Sequence, residues 1–103
     1  MQGSKVFIPN SSGHDYSDAE QFGELIIMSE GLIDKFKITE MKRTFDKHLK
    51  PSSPDDWIIQ AGPSIMFAIA CSGFVALHGG LNLLIWRFEP DGNNRYFQSK
   101  IKF

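Results

Sequence analysis

The longest apolar stretch of the chain lies in its carboxyl half and sets the pattern of secondary structure there. A short apolar run at residues 57–59 leads into a Gly-Pro-Ser turn, and residues 64–77 are then almost entirely apolar. That length exceeds a typical strand, so we expect a helix with Pro63 at its first position and a glycine cap at residue 79. A second apolar run follows at residues 81–87. Strand, helix and strand within about thirty residues predict a βαβ unit with parallel strands and a right-handed crossover.

A membrane span is the rival interpretation of the helical run. The segment Ile65–Leu77 is shorter than the roughly twenty apolar residues that a bilayer requires, and no cluster of Lys or Arg flanks it closely. We therefore predict a helix buried against a sheet, and no membrane as a partner. Ala68, Ser72 and Ala76 recur at four-residue spacing, which would let the helix lie close on that sheet.

The amino-terminal half contains two further strands and two further helices. Residues 5–9 predict a first strand, and residues 24–28 predict a second. Between them, the capping-box pattern at Ser17–Glu20 predicts a short helix. Residues 38–49 carry apolar side chains at helical spacing, which predicts a longer helix with Thr39 as its N-terminal cap.

The carboxyl-terminal segment alternates apolar and polar residues, unlike the strands before it. After an Asp-Gly turn signal, residues 95–103 place lysines on one side and apolar residues on the other. This pattern is typical of an antiparallel edge strand whose lysines protect the exposed edge. The predicted order is β-α-β-α-β-α-β-β. We expect one α/β domain over residues 1–103, with three layers and a mostly parallel sheet of about four strands plus an antiparallel C-terminal edge strand.

Composition and charge narrow the classes of function. The chain has 103 residues, with eleven basic and twelve acidic side chains, so no strong field draws in nucleic acid non-specifically. The single cysteine, Cys71, lies in the apolar helix and is expected to be a buried hydrophobe. No apolar signal region opens the chain, which favours a cytoplasmic location. The histidines lack ligand spacing, and Asp55 and Asp56 are interpreted as turn residues, so we predict no metal and no cofactor.

Two polar, glycine-containing segments follow strands and form the candidate site. They are Asn10–Tyr16, after the first strand, and Gln60–Ser64, after the third. Ligands of open α/β sheets bind beyond the carboxyl ends of strands, so both segments line one crevice if the two strands are neighbours. The predicted ligand-binding residues are Asn10, Ser11, Ser12, Gly13, His14, Tyr16, Gln60, Gly62 and Ser64.

The residue types in these segments favour a nucleotide-like small molecule. Neither segment matches a phosphate-binding glycine motif, and Asp15 and Asp18 suit ribose hydroxyls or an amine better than a phosphate. A second interpretation is a protein–protein interaction or a homo-oligomer, formed through aromatic residues concentrated in the carboxyl half. A third is a small hydrolase or transferase in which Asp15 orients His14 as a general base. We expect binding rather than catalysis, because no nucleophile stands out beside His14.

The amino-terminal third also carries a pattern shared with known proteins. It comprises Val6–Asn10, Gly13–Tyr16, Ala19, Phe22-Gly23 and Glu30-Gly31, with a weaker echo at residues 56–62. This pattern resembles the opening of small α/β proteins encoded by bacteriophages and prophages. The resemblance implies a viral or mobile-element origin, hence the host cytoplasm, and it transfers no catalytic residue. Small phage proteins often act by binding, so it also implies host proteins or signalling nucleotides as partners.

Overall fold

The computed structural model describes residues 3–11, 13–34 and 36–103. These residues form a five-stranded sheet, two α-helices and one 3₁₀ helix. The predicted α/β class and the order of elements are confirmed. The elements are β1 (Lys5–Ile8), the 3₁₀ helix (Ser17–Phe22), β2 (Glu24–Ile27), α1 (Ile38–Leu49), β3 (Trp57–Ile59), α2 (Ser64–His78), β4 (Gly80–Arg87) and β5 (Arg95–Lys102).

The strand order of the sheet is β2-β1-β3-β4-β5. β1 pairs in parallel with both β2 and β3, and β3 pairs in parallel with β4. β5 then pairs antiparallel with β4 along its whole length, from Gly80 opposite Lys102 to Arg87 opposite Arg95. The direction in which the chain adds strands reverses between β1 and β3. Such a reversal leaves a crevice beyond the carboxyl ends of the two strands, which is where open α/β sheets bind ligands.

Both faces of the sheet are covered, because successive side chains of a strand point to opposite sides. Phe7 and Ile58 face α1 and α2, whereas Val6 and Ile59 face the 3₁₀ helix and pack with its Ala19. The three predicted layers are therefore present, with the two long helices on one side. The helix-side core also buries Met28, Met41, Phe45, Leu49, Met66, Ala70, Phe74 and Leu81.

The face that α2 presents to the sheet differs from the prediction. Ala68, Ser72 and Ala76 point to solvent, and the Ser72 hydroxyl donates to the carbonyl of Ala68 at 2.8 Å. The sequence interpretation was wrong because it gave more weight to a close approach of the helix to the sheet than to the apolar area that the helix buries. Larger side chains remove more apolar surface from water. The buried stripe is Met66, Ala70 and Phe74.

Close approach does occur in this layer, but between the two helices rather than against the sheet. A Cβ atom on Gly73 would lie 2.9 Å from Cδ1 of Leu49, so this glycine lets α1 and α2 pack tightly. None of the helices in the described ranges has the length and apolar character needed for a membrane span.

The structure corrects the predicted amino-terminal ends of the helices, whereas it agrees with the predicted carboxyl-terminal end of α2. The capping box at Ser17–Glu20 does not form, because the 3₁₀ helix starts at Ser17 and the N–H of Ala19 donates to the Tyr16 carbonyl at 2.9 Å. Thr39 lies inside the first turn of α1, so its hydroxyl caps nothing. Pro63 precedes α2 instead of opening it. Gly79 ends α2 in the left-handed conformation, as predicted.

A buried carboxylate organises the amino end of the sheet. Asp56 is 1% exposed, and its two oxygens accept from the backbone N–H groups of Lys5 and Ser53, each at 2.8 Å. The side-chain amide of Asn82 donates to the carbonyls of Pro54 and Asp56, each at 2.7 Å. These bonds tie the starts of β1 and β3 to β4 and to the loop before β3. Asp56 is thus a structural residue at the end of the sheet opposite the crevice.

Candidate functional site

The loops after β1 and β3 touch each other at the point where the strand order reverses. Gly62 has a φ of +78°, and a Cβ atom there would lie 2.7 Å from Cβ of Asn10. Only glycine fits this position, because it adopts the left-handed conformation and leaves room for the neighbouring loop. The strands β1 and β3 are neighbours, which was the condition that the sequence analysis set for a shared crevice.

Asn10 joins the loop after β1 to the loop after β2. It is 2% exposed, and its amide nitrogen donates to the Ser29 hydroxyl at 3.0 Å and to the Gly31 carbonyl at 3.1 Å. The Ser29 hydroxyl in turn donates to the Pro9 carbonyl at 2.6 Å. Ser11 continues the connection through a parallel bridge to Glu30. These contacts give Asn10 and Ser11 a structural role at the base of the site.

The space beyond the strands is divided into two cavities, one on each side of the sheet. The first, which we call the aromatic crevice, opens on the side of the 3₁₀ helix and has a volume of about 520 Å³. Its lining comes from the two predicted loops and from the β4–β5 hairpin. The lining residues are His14, Asp15, Tyr16, Ile59, Gln60, Ala61, Gly62, Trp86, Phe88 and Tyr96.

The second cavity, which we call the apolar hollow, opens on the side of α1 and α2. Its volume is about 710 Å³, and its walls combine the loop after β1 with the segment between β2 and α1. The lining residues are Asn10, Ser11, Gly13, Gly31, Leu32, Ile33, Asp34, Phe36, Pro63 and Met66.

The predicted site residues are therefore distributed over three places. His14, Tyr16, Gln60 and Gly62 line the aromatic crevice together with Asp15. Ser64 lies in a depression beside the apolar hollow, next to Phe36 and Ile38. Ser12 lies outside the described residues. Asn10, Ser11 and Gly13 line the apolar hollow.

The register of the β4–β5 hairpin brings together the aromatic side chains that form one wall of the aromatic crevice. Trp86 lies directly opposite Tyr96 in the antiparallel pair, and their rings meet edge to face with centroids 4.9 Å apart. Phe88 stands at 90° to Trp86, with centroids 6.5 Å apart, and Tyr16 contributes a further ring from the opposite loop. Burial is the main cause that raises the pKa of Tyr96, so its phenol stays protonated at neutral pH.

The polar groups of the aromatic crevice include an anion, the side chain of Asp15. Oδ1 of Asp15 accepts the Ser17 backbone N–H at 2.9 Å, and this hydrogen bond lowers the pKa of the Asp15 carboxyl. Asp15 is therefore a carboxylate at neutral pH. Gln60 adds a side-chain amide at the mouth, while its backbone N–H donates to the Leu84 carbonyl. Among the residues that the structure describes, no Lys or Arg belongs to this lining.

The arrangement of His14 does not favour acid–base catalysis. Within residues 13–34 the Asp15 carboxylate bonds to Ser17, and no hydrogen bond joins it to the imidazole of His14. The closest ring to His14 is that of Tyr16, with centroids 6.3 Å apart. In the ranges that the structure describes, no three His, Cys, Asp or Glu side chains come together as metal ligands.

Sequence reasoning missed two features of the structure, the first of them at the site. It expected some of the aromatic residues of the carboxyl half to lie near the surface, but only the register of the hairpin shows that Trp86, Phe88 and Tyr96 face the Gln60 loop. It also gave no sign of a hydrogen bond of 2.7 Å between the Ser52 hydroxyl and Nε2 of His78, at the amino end of the sheet. These two residues are far apart in sequence, and no spacing rule connects them.

Fold and site together define a small doubly covered α/β protein with a ligand-sized aromatic crevice at the reversal of its strand order. Comparison with protein-family models identifies the family to which the chain belongs. The chain belongs to the family described as Phage Pam3 gp32-like protein, whose family model matches residues 4–103. The match extends the phage resemblance from the first third to nearly the whole chain and confirms a phage protein family. No curated protein and no solved structure matches the chain.

Proposed function

We propose that this phage protein binds a small planar molecule of the nucleoside type in the aromatic crevice. The observation that carries the proposal is the meeting of aromatic walls and hydrogen-bonding groups at one cavity. Tyr16, Trp86, Phe88 and Tyr96 supply the rings, while Asp15 and Gln60 supply polar groups. A volume of about 520 Å³ falls within the range of small-molecule sites, roughly 300–1,000 Å³.

Stacking is the interaction that such walls provide best. A nucleobase has a polarisable face that packs on Trp, Tyr or Phe, and each stacked base contributes about 1–3 kcal/mol. Phe88 is 77% exposed, so its ring projects at the mouth of the crevice and is available to a ligand. Trp86 and Tyr96 are held against each other, which fixes the inner wall before any ligand arrives.

The charge of the crevice favours a nucleoside over a nucleotide. Asp15 is ionised at neutral pH, and it accepts hydrogen bonds from hydroxyl or amino groups. A phosphate at the same place would be repelled by Asp15, and no Lys or Arg among the described lining residues would offset its charge. We therefore expect affinity to fall from nucleoside to monophosphate to triphosphate. The family assignment is consistent with action in the host cytoplasm.

Titration of the intrinsic fluorescence with a panel of nucleosides and their phosphates tests the proposal. Trp86 lines the crevice whereas Trp57 is buried in the core, so a stacked base should quench Trp86 selectively. Isothermal titration calorimetry on the same panel gives the dissociation constants. If no nucleoside or nucleotide changes the fluorescence or releases heat, the proposal is wrong.

A pair of phenylalanines provides a matched control. Phe88→Ala removes a ring from the mouth and should weaken nucleoside binding about five- to a hundredfold, as expected for the loss of one stacked base. Phe103→Ala removes a ring of equal exposure, 76%, that does not line the crevice, and it should leave binding unchanged. Equal effects of the two substitutions would contradict a site in this crevice.

A charge substitution tests the preference for a nucleoside. Asp15→Asn keeps a side chain of the same size and removes the negative charge. We expect it to raise the affinity for a monophosphate relative to the corresponding nucleoside. An unchanged ratio would show that Asp15 does not face the ligand.

A further inference from the structure

An exposed apolar segment lies beside the apolar hollow, away from the aromatic crevice. Between β2 and α1, the side chain of Leu32 is fully exposed, that of Phe36 is 82% exposed and that of Ile33 is about half exposed, and Ile38 at the start of α1 is also about half exposed. Single exposed apolar residues are ordinary, but a contiguous group marks an interaction surface. We call these four residues the apolar ridge.

Two backbone N–H groups of this part of the chain are bonded to Asp34, although the side chains of the apolar ridge are largely exposed. The carboxylate of Asp34 accepts the Phe36 N–H at 3.0 Å, and the Asp34 carbonyl accepts the Lys37 N–H at 3.1 Å. The exposed ring of Phe36 is thus carried by a hydrogen-bonded backbone. A protruding ring presented by a hydrogen-bonded turn loses little conformational freedom when it is buried by a partner.

The apolar ridge and a cavity that could accept its Phe36 ring lie on the same surface. Phe36 lines both the apolar hollow and the neighbouring depression, and Pro63 and Met66 form the opposite wall of the hollow. A protrusion next to a hollow is self-complementary under two-fold symmetry, because each copy can place its ring in the other's hollow. We propose that this surface is the interface of a homodimer, with Phe36 of each copy inserted into the apolar hollow of the second copy.

The charges around this surface suit a second copy of the same chain. Asp34, Lys37 and Glu40 line the adjoining cavity and are exposed. Both signs are present, so a two-fold axis can bring Lys37 of one copy towards an acidic residue of the other. A surface of one sign would instead repel its own copy.

The edges of the sheet are less suitable for self-association. Antiparallel pairing of two β5 strands would bring Arg95 of one copy close to Lys102 of the other, and like charges across a strand pair are unfavourable. β2, at the other edge, has only four residues. The charged β5 edge thus argues against a continuous sheet through two copies.

Sedimentation equilibrium of the full chain, from micromolar to millimolar concentration, tests the dimer. We expect a mass of twice 11.7 kDa for the wild type. Phe36→Glu places a charge in the hollow and should weaken dimerisation at least about thirtyfold, the effect of losing a central interface residue. Phe103→Glu, at a position of similar exposure outside the ridge, should leave the dimer intact. Because both rings are exposed, neither change should alter the circular dichroism spectrum.

Amide chemical shifts during dilution give an independent readout of which surface is involved. They should change for the described residues between 32 and 38 and for residues 63–66, and they should stay constant along β5. A wild-type protein that remains a monomer at millimolar concentration would overturn the proposal, and a different protein would then be the occupant. A dimer that persists in Phe36→Glu, or shifts confined to β5, would overturn it as well.

Discussion

Replacing Asp56 by alanine should destabilise the protein more than any exposed substitution nearby. The change removes two oxygens that accept the backbone N–H groups of Lys5 and Ser53. A buried N–H without a partner costs about 1–3 kcal/mol. Ser53 is exposed, so water can replace part of its loss, whereas the N–H of Lys5 is partly buried at the start of β1. We therefore expect the free energy of unfolding to decrease by about 3 kcal/mol in total. The unpaired N–H of Lys5 should account for the larger share of this loss, and that of Ser53 for the smaller share.

Two further substitutions at this turn calibrate the loss. Asp56→Asn keeps one acceptor oxygen and should cost about 1 kcal/mol, the value of one hydrogen bond. Asp55→Ala changes the exposed neighbour and should stay within about 0.5 kcal/mol of the wild type. The order of stability should be Asp55→Ala, then Asp56→Asn, then Asp56→Ala.

Urea unfolding followed by circular dichroism measures these differences. A loss of 3 kcal/mol corresponds to a decrease of about 1–3 M in the midpoint for a domain of this size, and to a decrease of roughly 12–24 °C in Tm. The comparison is valid if the slope of the unfolding transition is the same for all variants. The reasoning is refuted if Asp56→Ala and Asp55→Ala unfold within about 0.5 kcal/mol of each other, since that value is typical of a surface change.

Two other predictions concern the site loops and the cysteine. Gly62→Ala should cost at least about 1 kcal/mol more than Gly13→Ala, because both glycines have positive φ but only Gly62 would clash with Asn10; equal losses of stability would show that the loops do not touch. Burial raises the pKa of the Cys71 thiol to about 11, so at pH 8 its alkylation by iodoacetamide should be at least about a hundredfold slower in the native protein than in urea. A native rate within a few fold of the rate in urea would contradict this prediction.

The sequence was informative wherever hydrophobic pattern and turn chemistry agreed. The unit from Trp57 to Arg87 was predicted with bounds close to those observed, because its apolar runs differ in length and are separated by Gly and Pro. The alternation in β5 likewise predicted an antiparallel edge strand. In both cases the local pattern and the tertiary environment favour the same conformation.

The remaining features depend on information that periodicity does not contain. α2 is apolar nearly all round, so spacing alone could not decide whether the stripe at Ala68 or the stripe at Met66 faces the sheet. The aromatic crevice depends on the register that places Trp86 opposite Tyr96, and a shift of β5 by one residue would have turned the Tyr96 ring away. The loops at Asn10 and Gln60 could be located from the sequence, but the third wall of the aromatic crevice, which the β4–β5 hairpin forms, could not.

The placement of Asp56 has a consequence for how the chain folds. Its bond to Lys5 joins positions 51 residues apart, and β1 forms parallel ladders with β3 only when that distance is closed. The β4–β5 hairpin, by contrast, needs closure of a single short turn, which proteins achieve within about 1–10 μs. We therefore expect the hairpin to form early and the β1–β3 ladder to form late. Substitutions at Asp56 should then accelerate unfolding while leaving the refolding rate nearly unchanged.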